Sequence, residues 1–584
     1  VSMILQALTN YYETLLTQGK ITPPGWATIR VSYGIELDTE GQVVQLYHLQ
    51  QEISRGKKQV LVPRAFQMPA KVKKSSNVAA NFLCDNSSYM LGVDNKENPS
   101  RTVQCFAAAK DLHLRLLSQV SSPAAQAIVR YFETWDPTQA AFHPVLQADL
   151  PDLLKGGDLT FWYNAALAAD DAENKMAWQR FQENLEQESG QGICLVTGHC
   201  GPLARLHANI KGVAGAQSSG ASLVSFNEPA FCSYGHEQGA NAPTGQYAAF
   251  AYTTALNKLL EDKKHVCHVG DTTIVFWADG GGAAYQGFAM DALFDTTYSE
   301  QDLLAALHHL AKGDFIHWEE SLLNPDMPFY VLGLAHNAAR LSIRFFWQNS
   351  FGALARNLAL HYERLKIVRR KDDNFDALPI WRLVQETVRK ALPGARPAEA
   401  NPRLAGDLLL AVLNDAPYPA TLLNGVVLRI RAERTVTRGK AAILKAYYLN
   451  NSKDEQLKEV LTVELNETTN YLPYVLGRLF SVLENVQLQV NPRINTTITD
   501  RYFNSASATP AVVFPTLINL AQKHLAKMNK GQDIYFQKQI SELCGRITQT
   551  LPARMSLSEQ SAFQLGYYHE TQNRYKPKEE KNNV

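Results

Sequence analysis

Residues 27–49 read Ala27-Thr-Ile-Arg-Val-Ser-Tyr-Gly-Ile-Glu-Leu-Asp-Thr-Glu-Gly-Gln-Val-Val-Gln-Leu-Tyr-His-Leu49. Two alternating runs, 27–37 and 42–49, flank Asp38-Thr39-Glu40-Gly41, and that turn chemistry predicts a β-hairpin. A third alternating run follows at 58–63. Strands that pair with sequence neighbours build small antiparallel sheets. Upstream, Ile4, Leu5, Leu8, Tyr11, Tyr12, Leu15 and Leu16 recur at helical spacing, and Pro23-Pro24-Gly25 ends that helix. Downstream, residues 103–136 read as helices broken at Ser121-Ser122-Pro123. Residues 158–163 and 192–197 read as strands with a polar helix between them, and strand-like runs recur at 271–277 and 328–346. Beyond Ser350 the pattern turns helical, with a strand pair expected at 422–433. From about Glu459 to Gln572 only helical periodicity remains, with Phe480, Leu483, Val486, Leu517, Leu520 and Leu525 among its apolar positions. The fold class is therefore α+β: a mixed N-terminal region with small antiparallel sheets and helices, followed by an all-α C-terminal helical bundle. The expected divisions are an α+β module with a basic loop (1–100), an α+β core with a glycine-rich loop (101–350), a mainly helical connecting region (351–458) and the helical bundle (459–584). No internal repeat is visible.

The 584 residues are 45% hydrophobic and 19% charged, which excludes a mainly disordered or collagen-like chain. Fifty-seven Lys and Arg against 56 Asp and Glu leave a net charge of +1, so any basic surface is local. Seven cysteines without a Cys-x-x-Cys pair argue against a disulfide framework and for a reducing cytoplasm. Val1-Ser2 reads as foreign to a native start at Met3. No run of 18 apolar residues occurs, so neither export nor a membrane span is expected.

No Gly-Lys is followed by Ser or Thr, so there is no phosphate-cradling P-loop. His-Asp, His-Glu-x-x-His and Gly-x-Ser-x-Gly are also missing. His265-Val-Cys267-His268 packs its ligand types too closely for a usual metal site. Asp279-Gly-Gly-Gly282 reads as a turn. The expectation is no catalytic residue, no metal and no cofactor.

Four basic stretches interrupt the neutral whole. Between Glu52 and Asp85 there is no acid, but Arg55, Lys57, Lys58, Arg64, Lys71, Lys73 and Lys74 are present. This is either a solvated loop between strands or an anion-binding surface. Lysines neutralise phosphates, while Ser and Asn donate to phosphate oxygens or base edges. The candidates are Lys71, Lys73, Lys74, Ser75, Ser76, Asn77, Asn81 and Asn86. The second stretch, between Glu188 and Glu228, is also acid-free and is rich in glycine. Lys211-Gly-Val-Ala-Gly-Ala-Gln-Ser-Ser-Gly220 reads as a small-residue loop, functional or merely structural. Lys211, Gln217, Ser218, Ser219 and Asn227 are its candidate donors. Further on, Arg340 and Arg344 share an even spacing that would put them on one face of a strand. Arg438, Lys440 and Lys445, with Arg434, lie on an expected helix, and each of these last two stretches is either part of a binding path or an ordinary salt-bridged surface. Together these stretches suggest a positively lined path for a nucleic-acid strand.

Several segments are similar to one known family. They include Asn81-Phe-Leu-Cys-Asp-Asn-Ser-Ser-Tyr-Met-Leu-Gly92, the run His207 to Asn227, Ser233-Tyr-Gly, Asn241-Ala-Pro and Tyr252-Thr-Thr-Ala-Leu-Asn257. Tyr330-Val-Leu-Gly-Leu with Arg340 to Phe346, Leu476 to Glu484, and Ile498-Thr-Asp-Arg-Tyr-Phe extend the match. On these residues the chain resembles the large subunit of the type I-C CRISPR Cascade effector complex, over nearly its whole length.

The resemblance implies a non-catalytic subunit that recognises the motif flanking an RNA-guided DNA target. It also implies help in opening the duplex and in recruiting a helicase–nuclease. Implied partners are target double-stranded DNA, guide RNA with the Cascade backbone subunits, a small subunit, and the helicase–nuclease, with no membrane. The small subunit would resemble the C-terminal helical part and arise by internal initiation. No Met lies between Met327 and Met528, so such a start needs a non-AUG codon, with Val460 and Val463 as candidates. Two other readings stay open. One is a scaffold that contacts guide RNA and partner proteins without reading DNA. The other is a stand-alone nuclease or hydrolase using His199, His207 or His236, with Asp170-Asp171 or Asp372-Asp373 as its carboxylates.

Overall fold

The computed structural model describes residues 2–55, 58–72, 78–95, 99–187, 190–280, 282–294, 298–369, 373, 377–390 and 398–575. It is α+β, and its residues cluster into two units that interleave along the chain. The first unit is Val1–Ala208 with Val224–Leu256; the second is Asn209–Leu223 with Asn257–Val584.

In the first unit the alternating runs form β1 (Trp26–Val31), β2 (Tyr33–Leu37), β3 (Val43–His48), β4 (Gln50–Arg55) and β5 (Lys58–Pro69). They are followed by β6 (Cys84–Asp85), β7 (Leu159–Tyr163) and β8 (Ala166–Leu167). One sheet has the order β1-β5-β4 and is antiparallel; the other runs β3-β2-β7-β6, with β8 on β7 and one parallel pair, β2 with β7. The expected hairpin closes at Asp38, whose Oδ1 accepts from the backbone N–H of Glu40 (2.9 Å) and Gln42 (2.8 Å). Gly41 is left-handed (φ 76°), and a Cβ there would strike the backbone of Tyr131, so glycine lets the turn lie on helix Pro123–Thr134. That helix starts where the sequence breaks: the Ser122 hydroxyl caps it at Ala125 N (3.1 Å).

The core of this unit joins Ile35, Phe82, Phe132, Phe161 and Trp178. At its centre His113 lies between Phe82 and Phe132, with its ring stacked 4.6 Å from that of Phe132. Of the expected strand at 192–197, only β9 (Gln191–Ile193) forms, paired with β10 (Cys200–Pro202). The chain turns directly after it, as Gly198 N–H donates back to the Cys194 carbonyl.

The second unit holds β11 (Val266–Val269), β12 (Thr272–Ala278), β13 (Ile316–Trp318), β14 (Ser321–Leu323), β15 (Pro328–Asn337) and β16 (Arg340–Ser350). β11-β12-β15-β16 is one antiparallel sheet, and β13 and β14 form a hairpin. Helices follow. Residues 422–433 are not a strand pair but part of helix Ala420–Glu433. Val426-Val427 favours extended backbone locally, yet the buried set Leu422, Leu423, Val426, Val427 and Ile430 follows the helical period, and packing decides. In the C-terminal part, helix Leu472–Val490 crosses helix Leu557–Asn573 at two glycines. A Cβ on Gly477 would run into the Phe563 carbonyl, and one on Gly566 into that of Tyr474. Beside this crossing Arg478 Nε donates to Glu570 (2.9 Å), a pair shut away from solvent. No helix among the described residues is long and apolar enough to cross a membrane.

Two predictions follow from this packing. Gly566→Val should lower the stability of the chain by about 2–3 kcal/mol in urea unfolding, because the crossing has no room for a side chain; an unchanged midpoint would refute the close approach. The second concerns three buried histidines. Burial pushes His113 down from 6.5 to about 4, and pushes His361 and His569 to about 3. Each is held neutral in a hydrogen bond, to the Ala109 carbonyl, the Tyr418 hydroxyl and the Tyr474 hydroxyl respectively. The unfolded chain therefore binds protons below about pH 6.5 that the folded chain refuses until about 4 or 3. Stability should be fully present above pH 6.5 and fall as the pH drops through that window, by on the order of a few kcal/mol per histidine. Denaturation curves that coincide at pH 7 and pH 5 would contradict it.

Candidate nucleic-acid interface

The first basic stretch leaves β5 and enters a loop framed by two asparagines. Arg64 lies over the Phe66 ring, 5.3 Å from its centroid. Lys71 is exposed, but its ammonium pairs with Asp158, a residue 87 positions later. Lys73, Lys74, Ser75, Ser76 and Asn77 lie outside the described residues. Asn81 is buried at 4% exposure, and its side-chain oxygen accepts from Val72 N–H at 3.0 Å, closing the loop from within. Its own N–H donates to Asp85 Oδ2 (2.9 Å). Asn86 is half-buried and caps helix Ser87–Met90 by accepting from Ser88 N–H (3.1 Å). The side-chain oxygens of both asparagines thus serve the frame.

Between the asparagines Leu83 takes a left-handed backbone (φ 58°), unusual for a bulky residue. Its N–H donates to His113 Nε2 (2.9 Å) and its carbonyl accepts from the Thr160 hydroxyl (2.8 Å). His113 and Thr160 therefore hold the turn that carries the stretch. Neither is signalled by charge or by motif.

The glycine-rich stretch is a closed loop of the second unit. Ile210 and Ala221 exchange both backbone hydrogen bonds at 2.9 Å, which pins its two ends. Ser222 then joins the sheet: its N–H donates to the Ala339 carbonyl and its own carbonyl accepts from Leu341 N–H, both at 3.0 Å. This parallel bridge sets the loop beside Arg340, the first residue of β16. At the base, Asn257 Oδ1 accepts from Lys211 N–H (2.7 Å) while its Nδ2 donates to the Asn209 carbonyl (3.1 Å). Asn209 in turn accepts from the Ser222 hydroxyl (3.2 Å) and donates to the Ser219 carbonyl (3.3 Å).

Ala214 N–H donates to the Thr273 hydroxyl of β12 (3.0 Å). Gly215 is left-handed, and a Cβ on it would lie 2.6 Å from His336 Nδ1. The tip turns again at Gly220, whose N–H donates to the Gln217 carbonyl (2.9 Å). What this frame leaves in solvent is Lys211 at the base and Gln217, Ser218 and Ser219 at the tip. Asn227 is also exposed, but it belongs to the first unit. Asn209 and Asn257 were not singled out from the sequence as site residues. Their signal, an asparagine at each end of a small-residue loop, has meaning only once the loop closes.

The other two basic stretches change meaning in the fold. Arg344 forms an ion pair with Asp271. A register shift in the β15–β16 pairing at Gly333/Leu334 falls opposite it, where Ile343 and Phe345 take successive partners. The alternation from Arg340 is interrupted there, and with it the basis for a shared face.

The expectation of a basic helix surface at 438–445 is corrected. Arg438 is nearly buried, facing Asp373 (3.3 Å) and Glu300 (3.5 Å). Lys440, at 1% exposure, is bound by Glu433 and the Thr435 carbonyl. Lys445, at 2%, donates to the carbonyls of Glu363 (3.3 Å) and Arg364 (2.9 Å) at the end of helix Phe351–Leu365. Burial pushes the Lys445 ammonium down to about 8. These heads are turned inward because acids and helix-end carbonyls meet them there, close in sequence for Lys440 and distant for Arg438 and Lys445. Of the histidines named for hydrolysis, His207 is buried against the Tyr252 hydroxyl (2.6 Å), and its pKa is lowered by that burial. His265 bonds the Phe276 carbonyl (3.1 Å). Among the described residues no group of three or more His, Cys, Asp or Glu is placed to hold a metal ion.

The loop geometry makes Asn257 its main side-chain tether. Asn257→Ala removes both hydrogen bonds at the base and should cost about 1–3 kcal/mol of local stability. Amide hydrogen exchange over residues 209–222 should quicken while exchange in helix Leu472–Val490 stays unchanged. Unaltered exchange in the loop would show that the remaining tethers hold it without Asn257.

No curated protein matches the chain. A family model described as CRISPR-associated protein (Cas_Csd1) matches residues 8–575, nearly the full length. Matched over residues 8–575, the chain belongs to the CRISPR-associated protein (Cas_Csd1) family.

Proposed function

We propose that this CRISPR-associated protein is the non-catalytic large subunit of a type I-C Cascade complex. In this reading it recognises the motif flanking an RNA-guided DNA target, aids duplex opening and R-loop formation, and helps recruit the helicase–nuclease. Its partners are the target duplex, guide RNA with the backbone subunits, and the small subunit. The observation that carries the reading is the loop Lys211–Gly220. It is fixed at both ends and at its base, yet it holds a lysine and three uncharged hydrogen-bonding side chains in solvent.

Uncharged donors and acceptors read base edges, and lysines neutralise phosphate. A loop already ordered loses little further freedom on binding, so its contacts convert more fully into affinity. The division of labour is a physical one: base pairing with the guide reads the long target, and the protein reads a short flanking duplex. The stretch from Lys71 onward supplies a second cationic contact, with Lys73 and Lys74 beside Lys71 in sequence. The cytoplasm is the compartment where such a complex meets invading DNA.

Two substitutions in the assembled complex test the reading. Gln217→Ala should reduce preference for the correct flanking motif over a scrambled one by roughly tenfold, since one base-edge contact is worth about 1–3 kcal/mol. Lys211→Ala should weaken binding to both targets alike and lower the slope of log affinity against log salt by about one. Equal losses on both targets for Gln217→Ala would make it a backbone contact. No change for either variant would remove the loop from the interface.

A further inference from the structure

Tyr234 is 99% exposed, the most exposed large apolar side chain among the described residues. Its backbone is left-handed (φ 55°), as is that of Gly235 (φ 74°), and His236 N–H donates to the Ser233 carbonyl (3.0 Å). Two successive positive φ values within such a turn suit Asn-Gly or Gly-Gly, not a bulky aromatic residue. The conformation persists because the surroundings impose it. Asn241 ties the turn at both ends: its Oδ1 accepts from Ser233 N–H (2.9 Å), and its Nδ2 donates to the carbonyls of His236 (3.2 Å) and Gln238 (3.1 Å). The segment is then moored in the first unit. Gly239 N–H donates to the Arg205 carbonyl (3.0 Å), and the Arg205 guanidinium donates to Gln238 Oε1 (2.9 Å). A Cβ on Gly239 would collide with the Ala204 carbonyl, so the mooring is close.

A strained turn, tied from three sides, thus carries a complete aromatic ring into water. Burial gives no reason for it, since the ring covers nothing. Its neighbours in the turn are Ser233, Gly235 and His236, all exposed and none apolar. Glu228 and Glu237 flank the turn in sequence and disfavour a phosphate seat upon it. What remains suited to the site is a flat, apolar, uncharged ligand face. We infer that Tyr234 is a stacking platform for an unpaired nucleobase. The inference rests on the proposed DNA-binding role and adds to it a site for the opened strand. Base–aromatic stacking tolerates any base, because every base has a π-face.

The test uses the guide-loaded complex containing wild-type chain, Tyr234→Ala, Tyr234→Phe or Tyr234→Leu. Targets carry 2-aminopurine at successive positions near the flanking motif, in a fully paired duplex and in one with a pre-opened bubble. Stacking predicts that wild type and Tyr234→Phe quench the probe at one position of the opened target. Tyr234→Ala and Tyr234→Leu should lose that quenching and bind the opened target roughly tenfold more weakly, with the salt slope unchanged. If the alanine variant matches wild type in quenching and affinity, while the complex still needs this chain to bind DNA, the stacking site is refuted and the broader role stands. If omission of the chain leaves DNA binding intact, the broader role fails and the stacking site with it. If Tyr234→Ala instead drops out of the assembled complex, the ring is a protein contact and the inference is overturned.

Discussion

Two backbone hydrogen bonds at Ser222, to Ala339 and from Leu341, join the segment 209–223 to the edge of a sheet that is otherwise built from residues 266–350. The candidate interface of the second unit depends on that bridge. It brings a short segment into a unit whose remaining chain begins at Asn257, so the loop is anchored on the sheet and on helix Gln246–Glu261 at Asn257. With the ends pinned, glycines at 212, 215 and 220 become geometrical requirements, each in the left-handed region and each packed against backbone or a ring. A glycine-rich stretch that would be costly to order in isolation is ordered here by its attachments, and the side chains that face water are few and fixed.

Charge behaves differently in the fold from the way it reads along the chain. Lys71 meets Asp158, Arg344 meets Asp271, and Lys440 meets Glu433. Lys445 is held by helix-end carbonyls, and its lowered pKa records the cost of burying an ammonium there. An acid-free run in sequence is therefore an upper bound on basic surface. Of the described candidates, Lys211 is an exposed lysine on an ordered frame, while the cationic run at 73–74 lies outside the described residues.

The antiparallel hairpin over 33–48 was legible because alternation and turn chemistry agree, and neither depends on distant residues, whereas the start of the run at 27–37 separates as β1 and pairs with β5 in another sheet. The helical end was legible for the same reason: its apolar period is sustained. Residues 422–433 misled because the partners that bury one helical face lie elsewhere in the chain. The candidate site was legible in part. Glycine content and missing acids located the loop, and Gln217, Ser218 and Ser219 are exposed as a binding tip requires. The frame was not legible. Asn257, Asn209 and His113 act through hydrogen bonds that close over tens of residues, and Asn81 and Asn86, offered as donors to DNA, give their oxygens to backbone N–H groups. Sequence carries the inventory of polar groups, while closure of loops decides which of them the protein itself consumes.

The most direct test of the central claim is binding of the guide-loaded complex to target duplex, with this chain present or omitted. The targets carry a correct or a scrambled flanking motif, at two salt concentrations. The account predicts that affinity for the correct motif collapses without the chain, and that the difference between the two motifs disappears with it. Retention of both affinity and motif preference in the complex lacking the chain would contradict the account.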